Sequence, residues 1–135
     1  RTCDGAAEQL RRTCHQSLGR DASGYVGQDP DKTRELCRLD RSPYAPWCYI
    51  GAVKAITDWT GTPDAGFAFC AAVAEEPARI RCYEAVGEQI GIMLDVPAAR
   101  QLACSTADGY RDVCLFGARE IAEKPALLRD LDPGG

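Results

Sequence analysis

The stretch CYIGAVKAI, Cys48 to Ile56, decides how this chain reads. A related stretch, CYEAVGEQI, begins at Cys82, and a third, CLFGAREIA, at Cys114. Each is a cysteine followed by small and apolar residues. Ile50, Val53 and Ile56 recur at helical spacing, as do Val86, Ile90 and Met93. Three positions after the cysteine the residue is small every time: Gly51, Ala85 and Gly117, with Ser17 after Cys14. A small residue there predicts close approach of two helix backbones.

Working outward, the eight cysteines fall into pairs at 3/14, 37/48, 70/82 and 104/114. First members recur every 33 or 34 residues and second members every 32 to 34. A fixed period in this range predicts an array of helical hairpins. Pro30, Pro63 and Pro97 each stand seven positions before the first cysteine of a pair, with Asp29 and Thr62 just before the proline and Asp95 two before Pro97. A cap followed by proline opens a helix, because proline at the first helical position sacrifices no hydrogen bond. Each unit therefore predicts a first helix from the proline through the cysteine. A turn follows, at 42–46, 75–79 and 105–109, and then a second helix beginning near the second cysteine.

Within a pair the separations run from 10 to 12 residues. On one continuous helix that spread would swing the second cysteine through about 200° of phase, so a shared face would be lost. A turn inside each pair absorbs it. The repeat thus selects one connectivity: Cys3–Cys14, Cys37–Cys48, Cys70–Cys82 and Cys104–Cys114. Each such bond closes a short loop and is expected to contribute roughly 2–3 kcal/mol.

The predicted fold class is all-α, with about seven helices in tandem disulfide-linked hairpins stacked as a short α-solenoid. One domain covers 1–123, in repeats of about 1–28, 29–61, 62–94 and 95–123, followed by a tail over 124–135. The first unit is incomplete: either a helix before Cys3 is cut away or disordered, or a short turn around Cys3 is clipped to a helix over 6–20, and 19–30 reads as a loop. The plan resembles the disulfide-stapled Sel1-like repeat proteins, the cysteine-rich secreted solenoids of bacteria, in architecture, with Leu18-Gly19 and Tyr83 as the residues that hint at that family's Leu-Gly and Tyr signature. The resemblance implies two helices per repeat joined by one disulfide. The mitochondrial twin C-x9-C proteins are a second comparison, whose even spacing on each helix is absent here.

Composition bounds function. The chain has 135 residues and a net charge of −4, so it lacks the positive field that nucleic acid requires. No apolar run approaches the ~18 residues that span a bilayer. An even cysteine count in a short chain predicts an oxidising compartment, periplasmic or secreted. The chain begins at Arg1 rather than Met, which predicts removal of a signal peptide. No C-x2-C pair suggests zinc, and no cofactor or metal is expected.

Little in the sequence points to catalysis. His15, the one histidine, occupies the register position of Tyr49 and Tyr83 and reads as a helix-surface or half-buried residue. Glu75-Glu76 read as a solvated turn, and Arg11, Arg79 and Arg111, each three positions before a second cysteine, as residues bonded to the neighbouring turn. No G-x-S-x-G, P-loop or HExxH motif occurs. Tyr44, Trp47, Tyr49 and Trp59 cluster in the second unit. Most of this cluster reads as packing, while Tyr44 in a turn and Trp59 at a helix end are candidates for exposure. Tyr44, Trp47 and Trp59 are accordingly the candidate partner-binding residues. The expected function is a non-enzymatic, extracytoplasmic structural or protein-interaction module. Its narrower form is an accessory subunit docked on the periplasmic face of a membrane complex of electron transfer or photosynthesis. The alternative is a free periplasmic or secreted binding protein, an enzyme inhibitor or a small enzyme. A thiol-redox protein, the third reading, would require a reactive cysteine.

Overall fold

A computed structural model describes residue 3 and residues 5–132. Among the described residues the chain is helical with no strand. The elements are α1 (Glu8–Tyr25), α2 (Pro30–Arg38), α3 (Ala45–Thr60), α4 (Pro63–Ala71), α5 (Glu76–Met93), α6 (Pro97–Cys104), α7 (Arg111–Gly117) and α8 (Ala126–Leu131). Four disulfides join the cysteines in the expected pairs, with Cα–Cα separations of 5.5–5.7 Å.

The prolines act as read. Pro30 opens α2 behind Asp29, whose carboxylate accepts from the Lys32 amide at 2.9 Å. Pro63 opens α4 behind Thr62, whose hydroxyl accepts from the Asp64 amide at 3.2 Å. Pro97 opens α6, but its N-cap is Val96 and no side chain caps it. The turns are shifted from expectation. Ala45-Pro46 and Glu76-Pro77 lie inside the first turns of α3 and α5, where a proline lacks nothing the helix needs. Only 105–109 is the turn expected. The connection from α3 to α4 is the tightest: Gly61, at φ 71°, closes α3 in the left-handed conformation and its amide bonds to the Thr57 carbonyl at 2.9 Å.

Helix α1 also runs further than predicted. It continues through Gly19 and Gly24 to Tyr25, leaving a loop of only 26–29. Tertiary contact overrides the weak helix propensity of glycine there. A Cβ on Gly19 would stand 1.9 Å from the Cys48 carbonyl oxygen, and Ser23 is fully buried with its hydroxyl donating to the Gln28 side chain.

Helices α1, α3, α5 and α7 pack in sequence, each on the next. Helices α2, α4 and α6 pack on the helices that precede and follow them. The core runs along this junction through Val53, Ile56, Phe69, Val73, Val86, Ile90 and Val113. An eighth helix exceeds the expected seven because the tail forms α8, which packs on α5 and buries Leu128 completely.

Candidate partner-binding surface

The residue after each of the first three second cysteines reaches into the turn of the following unit. His15 Nδ1 lies 2.6 Å from Asp40 Oδ2, and its ring stacks on Tyr44 with centroids 5.4 Å apart. The Tyr49 hydroxyl donates to Glu75 Oε1 at 3.4 Å. Burial, then the Glu75 carboxylate, pushes that phenol up to about 12. Tyr83 stacks on Tyr110 at 4.2 Å, nearly parallel, and burial followed by Tyr110 pushes its phenol up as well. One register position thus clips unit to unit three times. His15 is buried, contrary to the surface or half-buried position expected, because the turn carrying Asp40 and Tyr44 covers it.

The clipping residues make further contacts within the turns. Asp40 also accepts from the Ser42 amide at 2.9 Å and the Ser42 hydroxyl at 2.7 Å. The carboxylate therefore stands between serine and histidine. The group on the Ser42 hydroxyl is thus the carboxylate and not the imidazole, the reverse of the order in a Ser-His-Asp triad. Arg79 Nη1 donates to the carbonyls of Val73 and Ala74, and its Nε to the Tyr110 hydroxyl at 2.9 Å. Arg11 Nε donates to the Ala6 carbonyl at 2.8 Å. Both arginines tie the start of a long helix to the turn before it, as read from the repeat, whereas Arg111 is exposed. Glu75 and Glu76 are exposed. All eight cysteines are disulfide-bonded, and those at 37, 70, 82, 104 and 114 are fully buried.

The three candidate aromatics divide. Tyr44 and Trp47 lie together, ring centroids 6.2 Å apart, both partly buried near the cysteine end of α3. Trp59 is twelve residues further along, about 18 Å away on the helix rise, and 73% exposed. It has counterparts that the sequence reading missed. Tyr25 on α1 is 88% exposed and Ile92 on α5 is 74% exposed. All three stand ten or eleven residues after the cysteine of their helix. Cross-links hold α3 and α5 level there: Lys54 Nζ pairs with Glu88 at 2.7 Å, and Gln89 Nε2 donates to Asp58. Counting outward from each cysteine would have found Tyr25 and Ile92. Attention to aromatic density alone did not.

Ile92 also lines a groove of about 1160 Å³ that crosses α3, α5 and the chain following α7. The groove opens because α7 stops at Gly117 and the chain then turns at Arg119, φ 63°. Its larger apolar lining residues are Ile92, Phe116 and Ile121; of its charged residues, Lys54 pairs with Glu88, Arg100 with Glu120 at 2.9 Å, and Glu84 with Arg81 at 3.6 Å. Burial, with Glu88 next, raises the Glu84 carboxyl above its ordinary value. Among the described residues no three His, Cys, Asp or Glu side chains group to hold a metal ion, and no helix is long and apolar enough to cross a membrane. No family model, curated protein or solved structure matches the chain. Four disulfides fit an oxidising compartment.

Proposed function

We propose that this protein is an extracytoplasmic interaction module that holds another protein on the far end of its long helices. One observation carries the reading: Tyr25, Trp59 and Ile92 are large apolar side chains exposed ten or eleven residues beyond the cysteine on α1, α3 and α5. Exposed apolar side chains gathered on one part of a surface mark sites of association, and aromatic residues dominate the energetics of such sites. The groove beside Ile92 extends this surface. Four of its six charged side chains pair with one another, as Lys54–Glu88 and Arg100–Glu120. The narrower form is an accessory subunit on the outer face of a membrane complex.

Native extraction in mild detergent, followed by a search for proteins that travel with the chain at fixed ratio, tests the reading. A stoichiometric partner whose association is lost in Trp59→Ser supports it. Migration as a lone monomer under the same extraction overturns it in favour of a free periplasmic binder or a small enzyme.

A further inference from the structure

Trp47 carries a second feature, at the opposite end of α3 from Trp59. Two guanidiniums lie over its ring, one from each neighbouring long helix: Arg12 of α1 at 4.7 Å and Arg81 of α5 at 5.5 Å. The two arginines have different fates. Arg81 Nη2 donates to Asp132 Oδ1 at 2.7 Å, and Lys124 Nζ lies 3.4 Å from the other oxygen of the same carboxylate. That carboxylate arrives with α8, which is anchored by the buried Leu128. Arg12 is exposed and pairs with no carboxylate among the described residues.

From this asymmetry we propose that Arg12 and Trp47 form a binding site for an acidic segment of a partner protein. The Arg81 side displays the chemistry. A guanidinium oriented on the indole face takes carboxylates, Glu84 of its own helix at 3.6 Å and, more closely, Asp132 at the end of α8. The Arg12 side presents the same guanidinium on the same ring, open to solvent. Holding the cation on the ring fixes its donors in advance, so less side-chain entropy is lost when a carboxylate binds. A chain of net charge −4 does not attract anions generally, so affinity for an acidic peptide has to come from a local site. The same net charge disfavours nucleic acid as the occupant. The site rests on the partner-binding reading but uses neither Tyr25, Trp59 nor Ile92, so the two surfaces can fail separately.

The test uses the full chain with Trp59→Phe, which leaves Trp47 as the sole indole, titrated with hexaglutamate at low salt. The expected result is a saturable change in Trp47 fluorescence. Arg12→Gln weakens it about tenfold, the worth of one charge-assisted hydrogen bond. Arg20→Gln, which removes the same charge from an exposed position elsewhere on α1, leaves it unchanged. Thermal melts of both variants check that folding is intact. Four results overturn the proposal: no saturable change, no effect of Arg12→Gln, equal weakening by both arginine variants, or tighter binding of a six-thymidine oligonucleotide than of hexaglutamate.

Discussion

The two ends of the long helices are built differently. At the cysteine end, disulfides, turn-to-helix hydrogen bonds and backbone contacts between helices leave no room for change. At the far end, Tyr25, Trp59 and Ile92 stand in solvent. The α1/α3 and α5/α7 junctions show how the closed end is made. A Cβ on Gly51 would lie 1.9 Å from the Gln16 carbonyl oxygen, and one on Gly19 the same distance from that of Cys48. Gly117 and Gly87 repeat the arrangement against the Glu84 and Cys114 carbonyls at 2.2 and 2.1 Å. The α3/α5 junction between them relies on side chains instead, through Lys54–Glu88, Asp58–Gln89 and Trp47–Arg81. The contrast teaches that backbone-to-backbone contact is concentrated near the cysteines, while Tyr25, Trp59 and Ile92 lie beyond it.

The largest expected effect comes from breaking the closed end. Gly51→Ala places a methyl against backbone rather than against a movable side chain, so the two helices must separate. Overpacking of this kind costs about 3 kcal/mol or more, a fall in Tm of roughly 10 °C for a chain of this size. Ala85→Gly, at the equivalent position of α5, costs only about 1 kcal/mol, the helix-propensity difference. Thermal melts that showed equal losses for the two would erase the distinction between the junctions.

Next come the disulfides. Replacing Cys37 and Cys48 together by alanine opens a clip between two helices, and a loop of this length contributes about 2–3 kcal/mol. Cys3–Cys14 joins α1 only to the short turn before it. Its removal is expected to cost less, as read from urea midpoints. The ranking inverts if the first clip proves the costlier, and α1 would then depend on the segment before Glu8 more than on Gly19.

The period, the four pairings and the helix order were legible because disulfide spacing and proline position are local signals. The glycine contacts were only half legible. The rule of a small residue three after the cysteine picks out Gly51 and Gly117, but Ser17 is exposed and Gly19 makes the approach in its place. That choice depends on how α1 crosses α3, which no single-helix pattern records. Likewise, 75–79 reads as a turn from its acids and proline, yet Glu76-Pro77 fits the first turn of α5. Trp59 was legible as exposed from its place beside Gly61. Tyr25 was hidden by the assumption that Gly19 began a loop.

A smaller effect lies where α8 meets α5. Burial raises the Asp132 carboxyl, but the hydrogen bond and charge of Arg81, with Lys124, outweigh it and hold the group below its ordinary value. Its contribution is therefore present above the unfolded carboxylate range and is lost as pH falls through the depressed folded value. Glu84 runs the other way. Its folded value is raised, so stability increases as pH falls from neutral through that value, where the buried charge is neutralised. Stability is expected to peak on the acid side of neutral and then decline as Asp132 protonates. Glu84→Gln should flatten the acid-side rise, and Asp132→Asn the later decline. A pH series of urea midpoints unchanged by Glu84→Gln would remove Glu84 from this account.

The smallest expected change in stability belongs to the open end. Trp59→Ser removes a side chain that is 73% exposed, and such substitutions usually stay within about 0.5 kcal/mol. The same is expected for Tyr25→Ser. If the open end is the recognition surface, these variants should melt with the parent protein yet lose the partner that co-purifies with it. Gly51→Ala, measured below its own Tm, should retain that partner so long as the open ends of α1 and α3 keep their level. Stability and association are then separable by position along one helix. A marked drop in Tm for Trp59→Ser would show instead that the indole supports the α3–α4 corner beside Gly61, making it a part of the fold rather than of a binding surface.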